Sequence, residues 1–500
     1  MKEGPWGIGR ETLWDSRSNR SQISFQPVRS NLSELEKAGD TLSENGVRAQ
    51  LPWKPGSLFS WNQGNFRVRL DPVFQLDAPL PAEHGPEWVA GFRLRTGSAH
   101  WGIEWEGVKG EAALPGYLED FRRLFQVYPG LGYADSLDRK WIGFGTTNLR
   151  FSWQPSDIFR LEAGKGKHFI GDGYRSLLLS YNASPYPFVR LETHVWHLTY
   201  TNLFARLEDI QGSNGDRDLF RGKFTAIHYL DWRLCSGVDV GVFEAIVWQN
   251  DDMYGPRGFD INYLNPVIFY RPVEFSLGSP DNALMGLNLR VYTGKKSYLY
   301  GQLCLDEFYL VKVRAWNGWS SNKQGVQAGW KQADVFGKEN MSIRLEGNYV
   351  RPYTYTHVTP QQNITDHPLQ NYAHFNEALA HPLRANFVEG LTRVRYDKKQ
   401  WSFAGGVSFA LYGDDSTGTN FGRNIFLPYP DTYGNHVGQG IRTTLFAVES
   451  TCRRVLNPVS GLNIFGRFYF RSVRQPAQSE QMFFVQVGLS SWWPSRYLDF

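Results

Sequence analysis

The 500 residues carry 53 Lys and Arg against 49 Asp and Glu, a formal net charge of +4. Charge so balanced, and spread along the chain, implies no nucleic-acid patch, and no apolar run of about 18 residues is present to form a transmembrane helix. Aromatics make up 15% and Gly contributes 50 residues, a pairing that suits strands whose rings face lipid and whose turns are tight. A mean hydropathy below zero does not exclude a membrane barrel, because half of each strand faces a polar lumen.

Residues 1–60 differ from the rest. Aromatics are sparser there, Pro27, Pro52 and Pro55 interrupt the chain, and SNLSELEKAG at 30–39 offers a cap at Ser30 or Asn31 and a short amphipathic turn through Leu32 and Leu35. We expect a periplasmic or plug-like extension there, with a partly ordered tail as the alternative. The opening MKEGPWGIGR has no signal-peptide core, so an exported chain would carry mature or recombinant numbering.

From Phe66 the period becomes two. Phe66, Val68, Leu70, Phe74 and Leu76 fall on one face, with Arg67, Arg69, Asp71, Gln75 and Asp77 on the other. The alternation returns with Trp101, Ile103 and Trp105 against His100, Glu104 and Glu106. It returns with Ile343, Leu345 and Tyr349 against Arg344, Glu346 and Asn348, and again over 462–471. Alternation alone also describes a soluble sandwich. Paired Arg and Glu on the inner face, with Trp and Tyr at strand ends, point instead to an aromatic-girdled barrel with a charged lumen.

Between these strands, Leu118, Phe121, Leu124 and Phe125 form a helical stripe over 117–127. It predicts a short helix that plugs the lumen, lies on the periplasmic rim, or sits in a long loop. Residues 164–191, GKGKHFIGDGYRSLLLSYNASPYPFVRL, are too rich in Gly and Pro for one helix and too apolar for a free linker. We expect them inside the barrel or across its rim. Turn-rich connections fall at 211–218, 250–258 and 413–424, and 352–382 is a long polar excursion rich in Tyr, His and Asn.

The candidate chemistry is thin. The Gly164–Lys167 stretch lacks phosphate-loop spacing. Asp306 and Glu307, adjacent on a strand, would point to opposite faces and could not serve one site as paired carboxylates unless a bulge intervened. Glu104 and Glu106 share a face but read as lumen ion-pair partners. His168, His194 and His197 do not fit metal-ligand geometry on strands, and no nucleophile elbow is present. Cys235, Cys304 and Cys452 lie far apart, without zinc-site spacing. They read as buried thiols, with one disulfide as the alternative.

Residues 168–191 resemble the signature segment of RemB-type gliding-motility outer-membrane proteins, grouped with the Wzi capsule-assembly proteins. The likeness extends to YLNPVIFYRPVEFSLGSPDNALMGLNL at 263–289, QLCLDEF at 302–308, RPYTYTH at 351–357, NYAHFNEALAHPLRANFVE at 371–389 and GNHVGQGIRTTLF at 434–446. Tyr181 and Arg384 depart from it, standing where an acid or amide and a glycine are expected. The resemblance implies an outer-membrane β-barrel with a partly filled lumen, binding capsular polysaccharide or tied to motility, and no catalysis.

The combined expectation is an all-β, transmembrane outer-membrane barrel of roughly 14–18 antiparallel strands, with lumen-filling segments. Residues 1–60 form the extension and 61–500 the barrel. A lumen polar network of His168, Asp172, Arg175, Asn182, Arg271, Glu274, Asp306, Arg351 and Asn386 would satisfy itself, because lipid offers no partners. Tyr353, Tyr355, His357, Tyr372 and His374 are candidates for surface binding, since aromatic faces among amides and hydroxyls suit sugars or a partner's loops. No cofactor or metal and no enzymatic activity are expected. The expected partners are outer-membrane lipids and surface polysaccharide or other outer-membrane, secretion or motility proteins. A solute channel is the alternative function and an outer-membrane hydrolase a further one.

Overall fold

The computed structural model describes residues 58–80, 86–134, 141–252, 255–266, 281–357, 369–416, 418–457, 460–491 and 499–500. The expected extension at 1–60 lies almost wholly outside them, as do Arg271 and Glu274.

A short strand β1 (Phe59–Gln63) precedes eighteen long ones, each antiparallel to the next. They are β2 (Phe66–Leu80), β3 (Glu87–Gly97), β4 (Trp101–Ala112), β5 (Ile142–Trp153), β6 (Phe159–Gly166), β7 (Tyr186–Val195), β8 (Leu198–Asp209), β9 (Arg221–Cys235) and β10 (Val238–Gln249). The ring continues with β11 (Asn282–Gly294), β12 (Ser297–Leu305), β13 (Gln324–Ala333), β14 (Met341–Val350), β15 (Phe387–Lys398), β16 (Trp401–Asp414), β17 (Ile441–Asn457), β18 (Leu462–Arg474) and β19 (Ser479–Ser491). It closes where β2 pairs with β19 from Phe74↔Ser491 to Leu80↔Val485, and β1 covers the remaining edge of β2 from Phe59↔Leu70 to Gln63↔Phe66. Closure removes the sheet edge, which hydrocarbon would not tolerate.

The two faces sort as the alternation predicts, with the polarity of a soluble barrel reversed. On β2 and β14, Asp71, Gln75, Asp77, Arg344, Glu346 and Asn348 are buried in the interior, while Leu70, Leu76, Leu345 and Tyr349 are exposed on the outside. An apolar outside wrapped around a polar inside needs lipid as its solvent. Inward charges meet one another: Arg93 donates to Glu106 at 2.5 Å, and Arg95 to Asp71 at 2.6 Å.

Connections are unequal at the two ends. After β3, β5, β7, β9, β11 and β15 the chain turns within a few residues, whereas after β4, β6, β10, β12, β14 and β16 it makes long excursions. By that asymmetry the long end faces the cell exterior. The helix α1 (Gly116–Phe125) leaves β4 at this long end, not at the periplasmic rim, and buries Tyr117, Leu118, Arg122 and Phe125. Trp196 and Phe336 stand exposed at turns of the short end, the level of an aromatic girdle.

Candidate functional site: a filled lumen and its outer mouth

Three excursions turn inward and fill the barrel: 113–134, 167–185 and 371–386. Leu177, Leu178, Leu179, Tyr355, Tyr372 and Leu379 join wall residues such as Leu203 and Phe243 in one apolar core inside the lumen. That core explains why the LLL run folds inward, since burial of each large side chain contributes about 1.5–3 kcal/mol.

Residues 167–185 cross from β6 and β7 to the opposite wall. The Tyr174 and Arg175 amides donate to Glu346 on β14 at 2.7 and 3.1 Å, and the Leu177 amide donates to Gln302 on β12 at 2.8 Å. Gly173 is required at that approach. A Cβ there would lie 2.4 Å from the Arg175 carbonyl and 2.6 Å from the Glu346 carboxylate. Arg175 is fully buried, with Glu389 at 3.3 Å and Asp499 at 3.1 Å. Glu389 also accepts from Asn348 and meets His381 at 2.9 Å each, and Asp499 also pairs with Arg393. Asp172 pairs with Arg290 and accepts from Asn288 at 3.0 Å.

The inward segments are sewn to each other. Asn182 donates to the Ala378 carbonyl at 2.9 Å, and the Ser180 amide to that of Leu379 at 2.8 Å. Glu377 accepts from the Gly130 amide at 2.6 Å and the Ser184 hydroxyl at 2.7 Å; burial pushes its carboxyl up to about 7. His168 is buried against Phe188 and within 3.3 Å of the Tyr186 hydroxyl.

The expected network is therefore several clusters. Arg175 and Asp172 hold the crossing segment to different strands, and Asn182 binds segment to segment. Asp306 and Asn386 act at the outer mouth. Arg351 sits beside them, its amide donating to Gln324 at 3.0 Å and its carbonyl accepting from Thr354.

Strand β12 ends at Leu305, so the parity that would send Asp306 and Glu307 to opposite faces does not apply. Both converge on buried Lys323, at 3.8 and 3.0 Å. Burial pushes Asp306 up to about 6, and its carboxylate accepts from the Tyr355 amide at 2.7 Å. Burial also opposes ionisation of Glu307, but Lys323 and His357 outweigh it and hold that carboxyl well below the usual range. Asp306 is sealed from solvent, so the pair is a structural ion cluster.

The surface-binding candidates need correction on exposure. Tyr353, Tyr355, Tyr372 and His374 are buried. Tyr355 and Tyr372 stack at 6.1 Å, and the Tyr355 hydroxyl donates to the Leu177 carbonyl at 2.9 Å. His374 accepts the Glu208 amide at 3.0 Å. The reason is physical: Leu379, Ala380, Leu383 and Ala385, all buried, draw this excursion into the lumen core. His357, half-buried, lies 3.2 Å from Glu307.

The exposed aromatics of the long end lie elsewhere, where the β12–β13 connection meets the β16–β17 connection. The Ser320 amide donates to Thr432 at 2.9 Å, Gly434 to Asn317 at 2.8 Å and Asn435 to Gly318 at 2.9 Å. Asn386 anchors the second connection, donating to the Gly413, Phe421 and Gln439 carbonyls and accepting the Gly438 amide at 2.8 Å. On this frame stand Tyr309, Trp316 and Tyr433, all exposed, and half-buried Trp319, whose indole donates to Asp431 at 2.5 Å. Sequence reasoning passed over them; the signal was two Trp within RAWNGWS, flanked by Gly and Asn.

No model of a known protein family matches the chain, and no curated protein sequence matches it. Among solved structures it is similar to Wzi, an outer-membrane protein involved in group 1 capsule assembly in Escherichia coli and described as a carbohydrate-binding β-barrel. Identity is 12% and the TM-score 0.53, over 86% of this chain and 85% of that one. It also aligns with the outer membrane protein OprD from Pseudomonas aeruginosa, at 9% identity and TM-score 0.45, over 85% and 93% of the two chains. At such identities the likeness is one of architecture: the chain has the fold of outer-membrane β-barrels.

Proposed function

We propose that this barrel binds rather than conducts or catalyses, holding surface polysaccharide at its outer mouth in capsule or exopolysaccharide attachment. The observation that carries the reading is the combination of a lumen packed by three inward excursions with exposed aromatics on the outer connections. A filled lumen offers little path for solutes, and rings edged by amides and hydroxyls suit sugar faces and their hydroxyl groups. The carbohydrate binding described for Wzi, a barrel of the same architecture, supports the choice. The RemB-type resemblance makes gliding motility, with partner outer-membrane proteins as ligands, the second reading.

The test is binding of the purified barrel to polysaccharide shed from the cells that produce it, paired with a deletion strain scored for glycan retention and for gliding. Saturable binding and glycan loss are expected. Lost gliding with normal glycan retention would favour the second reading, and turnover of the glycan would overturn the non-enzymatic one.

A further inference from the structure

The frame that joins the two outer connections links β12–β13 with β16–β17, bypassing β14 and β15. A chord between such separated points of the rim runs over residues 351–357 of the β14–β15 connection. Contacts beneath it agree: Lys323 donates to the Thr356 carbonyl at 2.5 Å, and Tyr353 and Tyr429 rings pack 5.4 Å apart. The aromatic shelf stands exposed on this outer frame.

Its charges are unequal in freedom. Asp431 is engaged by the Trp319 indole, and Glu307 by Lys323, His357 and the Tyr429 hydroxyl at 3.3 Å. The short helix α2 (Leu310–Arg314) supplies two cations, Lys312 and Arg314. The Lys312 ammonium lies 5.7 Å from the Trp319 ring centre and 5.0 Å from that of Tyr433, donating to the Tyr433 hydroxyl at 2.8 Å. Among the described residues neither Lys312 nor Arg314 has a carboxylate within ion-pair distance. A cation beside two rings is held in position; Asp431, engaged by the Trp319 indole, acts on it only from beyond ion-pair distance.

We propose that this shelf, with Lys312 at its centre, binds an anionic polysaccharide. A sugar ring lies against the exposed faces of Tyr433 and Trp316, and a carboxylate on the glycan meets the Lys312 ammonium. The inference rests on the glycan-binding reading above and adds the charge class and the position.

Dextran and carboxymethyl-dextran share one backbone and differ in carboxylates, so they separate the terms. The expected result is binding of carboxymethyl-dextran to the intact barrel in detergent, at least tenfold tighter than dextran and weakened by salt. Lys312→Gln, with unchanged heat-dependent gel migration, should erase the preference, and Trp316→Ala should weaken binding of both polymers. Equal affinity for the two polymers, no binding of either, or a preference untouched by Lys312→Gln overturns the proposal. The polysaccharide shed from producing cells keeps the two claims apart. If it binds without a charge preference, only the charge inference falls; if it does not bind, the glycan reading falls as well.

Discussion

Arg175→Met should loosen the crossing segment while leaving the barrel closed. Removing one member of a buried ion pair costs about 3–5 kcal/mol when the other is stranded. Here neither acid is stranded: Glu389 keeps His381 and Asn348, and Asp499 keeps Arg393. The expected cost is therefore lower, about 2–3 kcal/mol, which corresponds to a roughly 30- to 150-fold larger open population of the segment. Hydrogen exchange reads this residue by residue, because the Tyr174, Arg175 and Leu177 amides donate to Glu346 and Gln302 on the wall. Those amides should exchange faster by that factor, with β14 and β15 unchanged. Unaltered exchange at Leu177 would refute the anchoring role, and uniform acceleration across the strands would show that Arg175 supports the barrel itself.

Four other outcomes follow from the same geometry. Arg384 holds φ +69 where the family resemblance expects glycine, and burial pushes its guanidinium down to about 9; Arg384→Gly should raise stability by about 1 kcal/mol in thermal unfolding. Gly173→Ala should displace the crossing segment from Glu346, read as faster exchange at Tyr174 and Arg175. Asn386→Ala removes the amide that gathers three carbonyls and one N–H and leaves alanine at φ +62. It should make 415–440 more susceptible to protease by about 1–3 kcal/mol of local stability. Glu377, raised in the folded state from 4.5 to about 7, binds its proton more tightly folded than unfolded. Its contribution is fully present below pH 4.5 and lost as pH rises toward 7, at most ~3 kcal/mol, so protection of 180–184 should fall over that window. Glu377→Gln should flatten the dependence.

Much of this architecture is legible in the chain because a barrel wall has a strict period. Asp71 and Asp77 face in and Leu70 and Leu76 face out for the reason visible in the alternation. Of residues 164–191, expected inside the barrel or across its rim, 167–185 turn inward with their Leu run, while 164–166 and 186–191 are wall strand in β6 and β7. Tyr353, Tyr355, Tyr372 and His374 were misread because a segment stored in a lumen and one displayed in solvent share one composition. Only the Leu379–Ala385 stretch, read as an apolar driver, would have told them apart. Asp306 and Glu307 were assigned opposite directions by extending a strand that ends one residue earlier. The aromatic shelf was half legible: two Trp within RAWNGWS mark its rings, but its assembly depends on pairing between 317–320 and 432–435, more than a hundred residues apart, which no local pattern encodes.

If the inward excursions close the lumen and leave the outer mouth to act by binding, the barrel should not conduct. Planar-bilayer recording of the purified wild-type barrel tests it most directly. Little or no steady conductance is expected, and clear conductance once residues 168–184 are replaced by a short Gly/Ser bridge in a barrel that still shows heat-dependent gel migration. A large, stable open conductance from the wild type would contradict it.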